Sequence, residues 1–214
     1  MIGPLPIKRI RIETDDRILA EREDAARMRD AQLSRVPTDV PLLIDLSGLR
    51  LITLSAADEL FAQWLLVKRN QQNKEDKQAL IVAFFSPQQV IHETLHAALA
   101  ARGLAAYGLK MQADPSEIPE VLGEFTPAND EALQVVQQNP DGITAKELAK
   151  RLGLADTAAA NRLKELLQKG LVLRGGRSVA RTARGRNPVL FLYPFGFSPA
   201  TAGVNARAGR PVPA

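Results

Sequence analysis

The run Ala79-Leu80-Ile81-Val82-Ala83-Phe84-Phe85 contains no polar side chain. A strand with one face in water alternates apolar and polar residues, so an unbroken apolar strand predicts a sheet covered on both faces. The neighbouring segments suit that demand. Ile7 to Ile12 reads as a strand, Asp15 to Val36 as a helix with Ile18, Leu19, Ala25, Met28 and Leu33 inward, and Leu42 to Asp45 as a short buried strand. A helix from about Ala56 to Gln72 places Leu60, Phe61, Trp64, Leu65 and Val67 on one face. After the apolar strand, Ser86, Pro87 and Gln89 open a helix that reaches about Arg102, Gly103 stops it, and Leu104 to Leu109 returns as a strand. Strands separated by helices predict an α/β layer with some parallel pairing.

Residues 111–125, MQADPSEIPEVLGEF, hold two prolines and little periodicity and are expected to link two domains, 1–110 and 126–195. The final stretch, 196–214, is rich in Ala, Gly, Pro and Arg and is expected to be a disordered tail.

The second domain marks its elements by their caps. Thr126-Pro127 opens a helix with Leu133, Val135 and Val136 toward a core, and Pro140-Asp141-Gly142 turns the chain. Thr144 and Glu147 form a capping box for a second helix ending at Leu152 before Gly153. Asp156 is expected to cap a third, which runs to about Lys169 before Gly170. Two short helices joined by a glycine-containing turn match the helix-turn-helix arrangement. On the third helix Ala159, Ala160, Leu163, Leu166 and Leu167 form an inward stripe, with Thr157, Ala158, Asn161, Lys164 and Gln168 opposite and Arg162 on the flank.

A helix entering the major groove needs small residues near its start and side chains that match base edges and phosphates. Asn161 suits adenine, Thr157 a thymine methyl or a phosphate, and Arg162 and Lys164 the backbone. Beyond Gly170, LVLR and VLFLY read as two strands, and Arg174, Arg177, Arg181, Arg184 and Arg186 occupy the hairpin with no acidic residue. Arginines in a glycine-rich hairpin suit phosphates or a narrow minor groove. The charge is asymmetric in the same sense. From Thr126 onward 13 Lys and Arg face 6 Asp and Glu, a charge of +7, whereas residues 1–125 hold 15 against 18, a charge of −3. One half is therefore built to meet a polyanion.

The segment GITAKELAKRLGLADTAAANRLKELLQKGLVLR resembles the winged-helix domain of bacterial transcriptional regulators, the MarR-like group included. The resemblance implies major-groove docking by the third helix and flanking contact by the arginine hairpin. In the first half, AEREDAARMRDAQL followed by LLIDLSGLRLITLSAADELF resembles the STAS-like family, related to bacterial anti-sigma factor antagonists, with Asp45, Ser55, Asp58 and Glu59 at matching positions. That resemblance implies a compact module with a mixed sheet that dimerises, docks a protein or senses a ligand. The antagonist branch is switched by phosphorylation of a serine at this helix start. Here Thr53 stands at the motif's acid position and Leu54 at its serine, with Ser55 one residue later. A helix N-cap at Ser55 with an acid at Asp58 is the competing reading.

Both histidines lie in VIHETLHAAL, which matches H-E-x-x-H. On a helix His92 and His96 share a face and suit zinc, with Glu93 as base for a water. The third ligand would have to come from Glu117, Glu120 or Glu124, in the expected linker. The alternative is an ordinary covering helix with His92, Glu93 and His96 on its solvent edge.

The chain contains no cysteine, which excludes disulfides and thiolate metal sites, and no apolar run reaches the roughly 18 residues of a membrane span. These readings converge on a non-enzymatic, cytoplasmic, bacterial regulator that binds double-stranded DNA as a homodimer. No cofactor or metal is expected, and the N-terminal module provides dimerisation, sensing or a protein-docking surface. A zinc-dependent hydrolase using His92, Glu93 and His96 and an adaptor whose winged helix binds protein are the competing classes.

Overall fold

The computed structural model describes residues 7–36, 40–74, 80–110, 119–177, 189–192 and 194. Five strands form one sheet in the order β1 (Lys8–Arg11), β3 (Leu42–Asp45), β5 (Val82–Phe85), β6 (Ala105–Leu109) and β7 (Glu120–Gly123). The first four are parallel and β7 is antiparallel to β6, so the sheet is mixed. Strand β7 lies within 111–125, the segment expected to be a linker. Its pairing of Ala105 with Gly123 and Tyr107 with Val121 makes it the edge of the sheet.

One face of the sheet is covered by helices of the first half: α1 (Arg22–Met28, continued by a π-helical turn over Arg29–Leu33), α2 (Leu54–Ala57), α3 (Gln63–Lys74, joined to α2 by a π-helical turn over Asp58–Ala62) and α4 (Gln89–Ala100). Leu42, Ile44, Val82, Phe84 and Ala106 point into this layer and meet Leu60, Phe61, Leu65, Ile91 and Leu95. Phe61 and Phe84 meet edge to face, with ring centroids 5.2 Å apart. Trp64 is buried and its indole N–H donates to the Leu33 carbonyl at 3.0 Å.

The opposite face is covered by the second half. Ile81, Ala83, Ala105 and Tyr107 share one buried cluster with Leu133, Val136, Leu163, Leu166 and Leu171. The all-apolar strand is thus explained by alternation across two buried faces, Val82 and Phe84 toward one layer and Ile81 and Ala83 toward the other. The apolar cluster is continuous across the expected linker.

Several local expectations change. The stretch from Asp15 does not enter a helix. Ile18 and Leu19 instead form β2, paired in parallel with β4 (Leu51–Ile52), and α1 starts only at Arg22. Two β-branched or apolar residues that gain a partner strand outside the main sheet prefer that pairing to a helical start. Ile18 is accordingly exposed, not inward. Val67 is exposed too, since the stripe through Leu60, Trp64 and Leu65 leaves it on the outer flank of α3. The N-cap of α2 is Thr53, whose hydroxyl accepts from the Ala56 N–H, and not Ser55, whose hydroxyl lies 3.3 Å from that of Thr53.

Asp58 and Glu59 act as clamps between helices. Asp58 takes a two-point contact from Arg102 at 2.5 and 2.7 Å, and Glu59 meets Arg22 and Arg29. The Arg102 hydrogen bonds, with further attraction from Arg102 and Arg22, outweigh partial burial and hold Asp58 below the usual carboxylate range. Asp45 is buried at the end of β3 and accepts from the Ser47 N–H at 2.9 Å and from Arg9 Nε at 3.1 Å.

Candidate nucleic-acid interface

The second half folds as α5 (Pro127–Gln137), α6 (Ala145–Leu152), α7 (Asp156–Gln168) and the antiparallel strands β8 (Leu173–Arg177) and β9 (Val189–Leu192). A single β-bridge joins Ile143, between α5 and α6, to Phe191 in β9. This succession of helix, bridge, two helices and hairpin is a winged helix-turn-helix. The caps of α5 and α6 are those expected: Thr126 accepts from the Asn129 N–H, and Thr144 and Glu147 cap α6 reciprocally. The Thr144 N–H and hydroxyl both donate to the Glu147 carboxylate, which lowers its pKa. Gly153 ends α6 in the left-handed region at φ 65°. The cap of α7 differs from expectation. Ala155 holds the N-cap position without a side-chain bond, and Asp156 is already the first helical residue.

Ala159, Leu163 and Leu166 form the buried stripe of α7, with Leu167 partly buried. Ala160 is exposed, a correction to its inward placement, because one residue past Ala159 turns the helix by about 100°. Exposed Thr157, Ala160, Asn161 and Lys164 then form one outward face with small residues near the start of the helix. Asp156 and Glu165 are exposed on the same helix, so its own charge is mixed. Arg162 sits on the flank, three-quarters covered, and pairs with Glu131 of α5 at 3.2 Å. Its guanidinium is therefore held between helices instead of projecting with Asn161.

Sequence reasoning did not single out the exposed lysines of α6. Lys146 and Lys150 are exposed four residues apart, one helical turn, and their spacing was a readable signal. Arg174 is exposed at the base of the hairpin, and Arg177 lies in β8. Arg181, Arg184 and Arg186, and the expected tail 196–214, lie outside the described residues.

The C-terminal end of α7 is fixed to the sheet. Tyr107, fully buried, donates its hydroxyl to the Leu171 carbonyl, and Lys169 Nζ lies 3.4 Å from both the Gly103 carbonyl and Glu124 Oε2. Gly170, at φ 64°, packs so closely that a Cβ there would intrude on the Leu80 carbonyl oxygen and approach Arg69 Nη2 to 2.7 Å. Arg69 is buried, donates to the Leu80 carbonyl at 3.3 Å, and has no carboxylate partner among the described residues. Burial lowers its pKa to about 9, which leaves it charged at neutral pH. Among the described residues, no hydrogen bond or ion pair joins 156–161 to the α/β layer. Helix α7 is therefore pinned at one end and open at the other.

Both histidines of α4 contact the strand at the sheet edge. His92 is buried, contrary to a solvent-edge position, with Nδ1 against the Glu120 carboxylate and Nε2 3.1 Å from the Ser86 carbonyl. His96 Nδ1 accepts the Gly123 N–H at 3.1 Å. Both rings tie α4 to β7, while Glu93 is exposed and bonded to Gln89. Partial burial would raise the Glu120 pKa, but hydrogen bonds from His92 and Lys110 prevail and lower it.

No helix among the described residues is long and apolar enough to cross a membrane. No curated protein matches the chain. Residues 131–172, from the second turn of α5 to the approach to β8, match the family model of winged helix-turn-helix DNA-binding segments, and in that region the chain is similar to them.

Proposed function

We propose that this chain is a sequence-specific, double-stranded DNA-binding regulator of transcription, bacterial and cytoplasmic, in which α7 enters the major groove. The observation that carries the reading is the asymmetry of α7: its end at Lys169 and Gly170 is locked to the sheet, while Thr157, Ala160, Asn161 and Lys164 face outward with no partner among the described residues of the α/β layer. A helix held rigidly by its far end presents its first turns to the groove with little loss of freedom on docking. Asn161 reads an adenine edge, Thr157 a thymine methyl or a phosphate, and Lys164, Lys146 and Lys150 hold backbone. Arg177, Arg181, Arg184 and Arg186 extend the contact along the flanking groove. Arg162 contributes once it leaves Glu131. Mixed charge on α7 itself means that affinity comes from these flanking cations and specificity from Asn161.

In this reading residues 1–110 form a STAS-like module that dimerises the protein, docks a partner or receives a signal, and residues 126–195 bind DNA in the manner of MarR-like regulators. Homodimers place two such helices on half-sites about one helical turn apart. The test is selection of a preferred duplex from a random pool, followed by salt titrations of wild type, Asn161→Ala and Arg184→Ala/Arg186→Ala on preferred and random duplexes. Asn161→Ala should cost about 1–3 kcal/mol on the preferred site and little on random DNA. The double arginine variant should weaken both and flatten the log–log salt slope by about one unit per lost phosphate contact. If neither variant alters binding to any duplex, the winged helix docks protein instead.

A further inference from the structure

We propose that a pocket at the carboxyl ends of β1 and β3 binds a small phosphorylated metabolite of sugar-phosphate size. The pocket has a volume of about 620 Å³ and is lined by residues leaving β1 (Arg11 to Thr14, and Arg17), residues leaving β3 (Ser47 to Arg50), and Gln88 ahead of α4. Volumes of roughly 300–1,000 Å³ accommodate small ligands, and open parallel sheets bind them outside the carboxyl ends of their strands.

The chemistry of the lining selects the ligand. Arg11, Arg17 and Arg50 stand against one acid, Glu13. None of the three makes an ion pair among the described residues, whereas Arg9, Arg22, Arg29 and Arg102 of the same layer each meet a carboxylate. Asp15 and Asp16 belong to the adjoining loop but do not line the pocket. The Arg50 N–H donates to the Arg17 carbonyl at 2.7 Å, which fastens the two arginine-bearing loops together. Arg17 is held at φ 55°, the one described non-glycine residue in the left-handed region, and such strain persists where surrounding structure over-determines it, often at ligand clamps. Three cations in excess over one acid, none of them in an ion pair among the described residues, suit an anion that accepts from several donors, as a phosphate monoester does. Thr14, Ser47 and Gln88 add hydroxyl and amide partners for a sugar.

The DNA backbone is the less suitable source of phosphate. Ile12 and Leu49, the floor of the pocket, belong to the cluster on the helical face of the sheet, and the winged helix covers the opposite face. The end of α7 is also fastened beside Leu80 and Gly103, which precede β5 and β6, at the amino ends of the strands. The pocket stands on the α/β layer alone, so failure of the full chain to bind DNA would leave it untouched.

The test is calorimetric titration of the full chain with ribose 5-phosphate and with ribose at constant ionic strength, on wild type and Arg17→Gln/Arg50→Gln. Arg11→Gln/Arg50→Gln leaves the left-handed residue in place and guards against a folding artefact. Wild type should bind the phosphate ester saturably and ignore ribose, and each double variant should lose about tenfold in affinity per guanidinium removed. Two results overturn the proposal: no saturable binding, or equal binding by wild type and both variants. A third also does so, namely variants that keep the ester but lose affinity for DNA, which would assign these arginines to the nucleic acid.

Discussion

Replacing Gly170 with alanine tests whether the winged helix and the α/β layer form one folding unit, and Gly153→Ala supplies its control. Both glycines lie in the left-handed region, at φ 64° and 65°, and each ends a helix of the winged domain. A Cβ at Gly153 meets nothing within 4 Å, so its cost is the conformational term alone, about 1 kcal/mol. At Gly170 the same term applies, and the new Cβ also collides with the Leu80 carbonyl oxygen and crowds Arg69. Neither neighbour yields easily: Leu80 is backbone leading into β5, and Arg69 is buried. Overpacking of this sort adds about 1–3 kcal/mol, for a total of about 2–4. For a chain of this size the control should lower Tm by about 2–4 °C and Gly170→Ala by about twice that or more. The assay is thermal and urea denaturation followed by fluorescence of Trp64, which lies in the cluster on the far face of the sheet from Gly170. With a shared core, the Trp64 signal moves with the loss of helical circular dichroism. The reasoning is refuted if the two variants shift the Trp64 transition equally, or if Gly170→Ala leaves it unmoved while the helix signal falls.

Further outcomes follow from single contacts. Tyr107→Phe should destabilise the chain by about 1–3 kcal/mol in denaturant titrations, because the Leu171 carbonyl loses a buried donor. Arg102→Ala should remove roughly 1 kcal/mol at neutral pH and flatten the acid limb of the stability curve. Asp58 has its folded pKa lowered by Arg102, so its contribution is present above the unfolded value near 4 and is lost as pH falls through the lowered one. That limb should be read from urea midpoints measured from pH 7 downward. His92→Ala should cost about 2–4 kcal/mol by loss of a buried ring and its two partners, with unchanged zinc content by elemental analysis. A fragment beginning at Thr126 should bind a hydrophobic dye or aggregate, because removal of the sheet bares the side of the cluster containing Leu133, Val136 and Leu171.

Local signals were legible in the chain because they depend on neighbours a few residues apart. Thr144 with Glu147, Thr126 before Pro127, and the glycines after α6 and α7 announce helix ends through bonds that close within one turn. The unbroken apolar strand announces a sheet with two covered faces. Which layers cover it was decided only in three dimensions, since the run has the same composition whether helices of its own half or of the next one pack on it. The fate of the histidines shows the same limit. A spacing of four puts His92 and His96 near one another on a helix whatever they touch, but β7 pairing beside β6 brings Glu120 and the Gly123 N–H to meet them. Ile18 and Leu19 leave the helical pattern because Leu51 and Ile52, more than thirty residues on, offer strand pairing. Arg162 lies on the flank, as its position in the helix implies, but only the packing of α5 across α7 presents Glu131 to it. Pairings between distant residues depend on how layers stack, a property of the assembled fold that no short window of sequence contains.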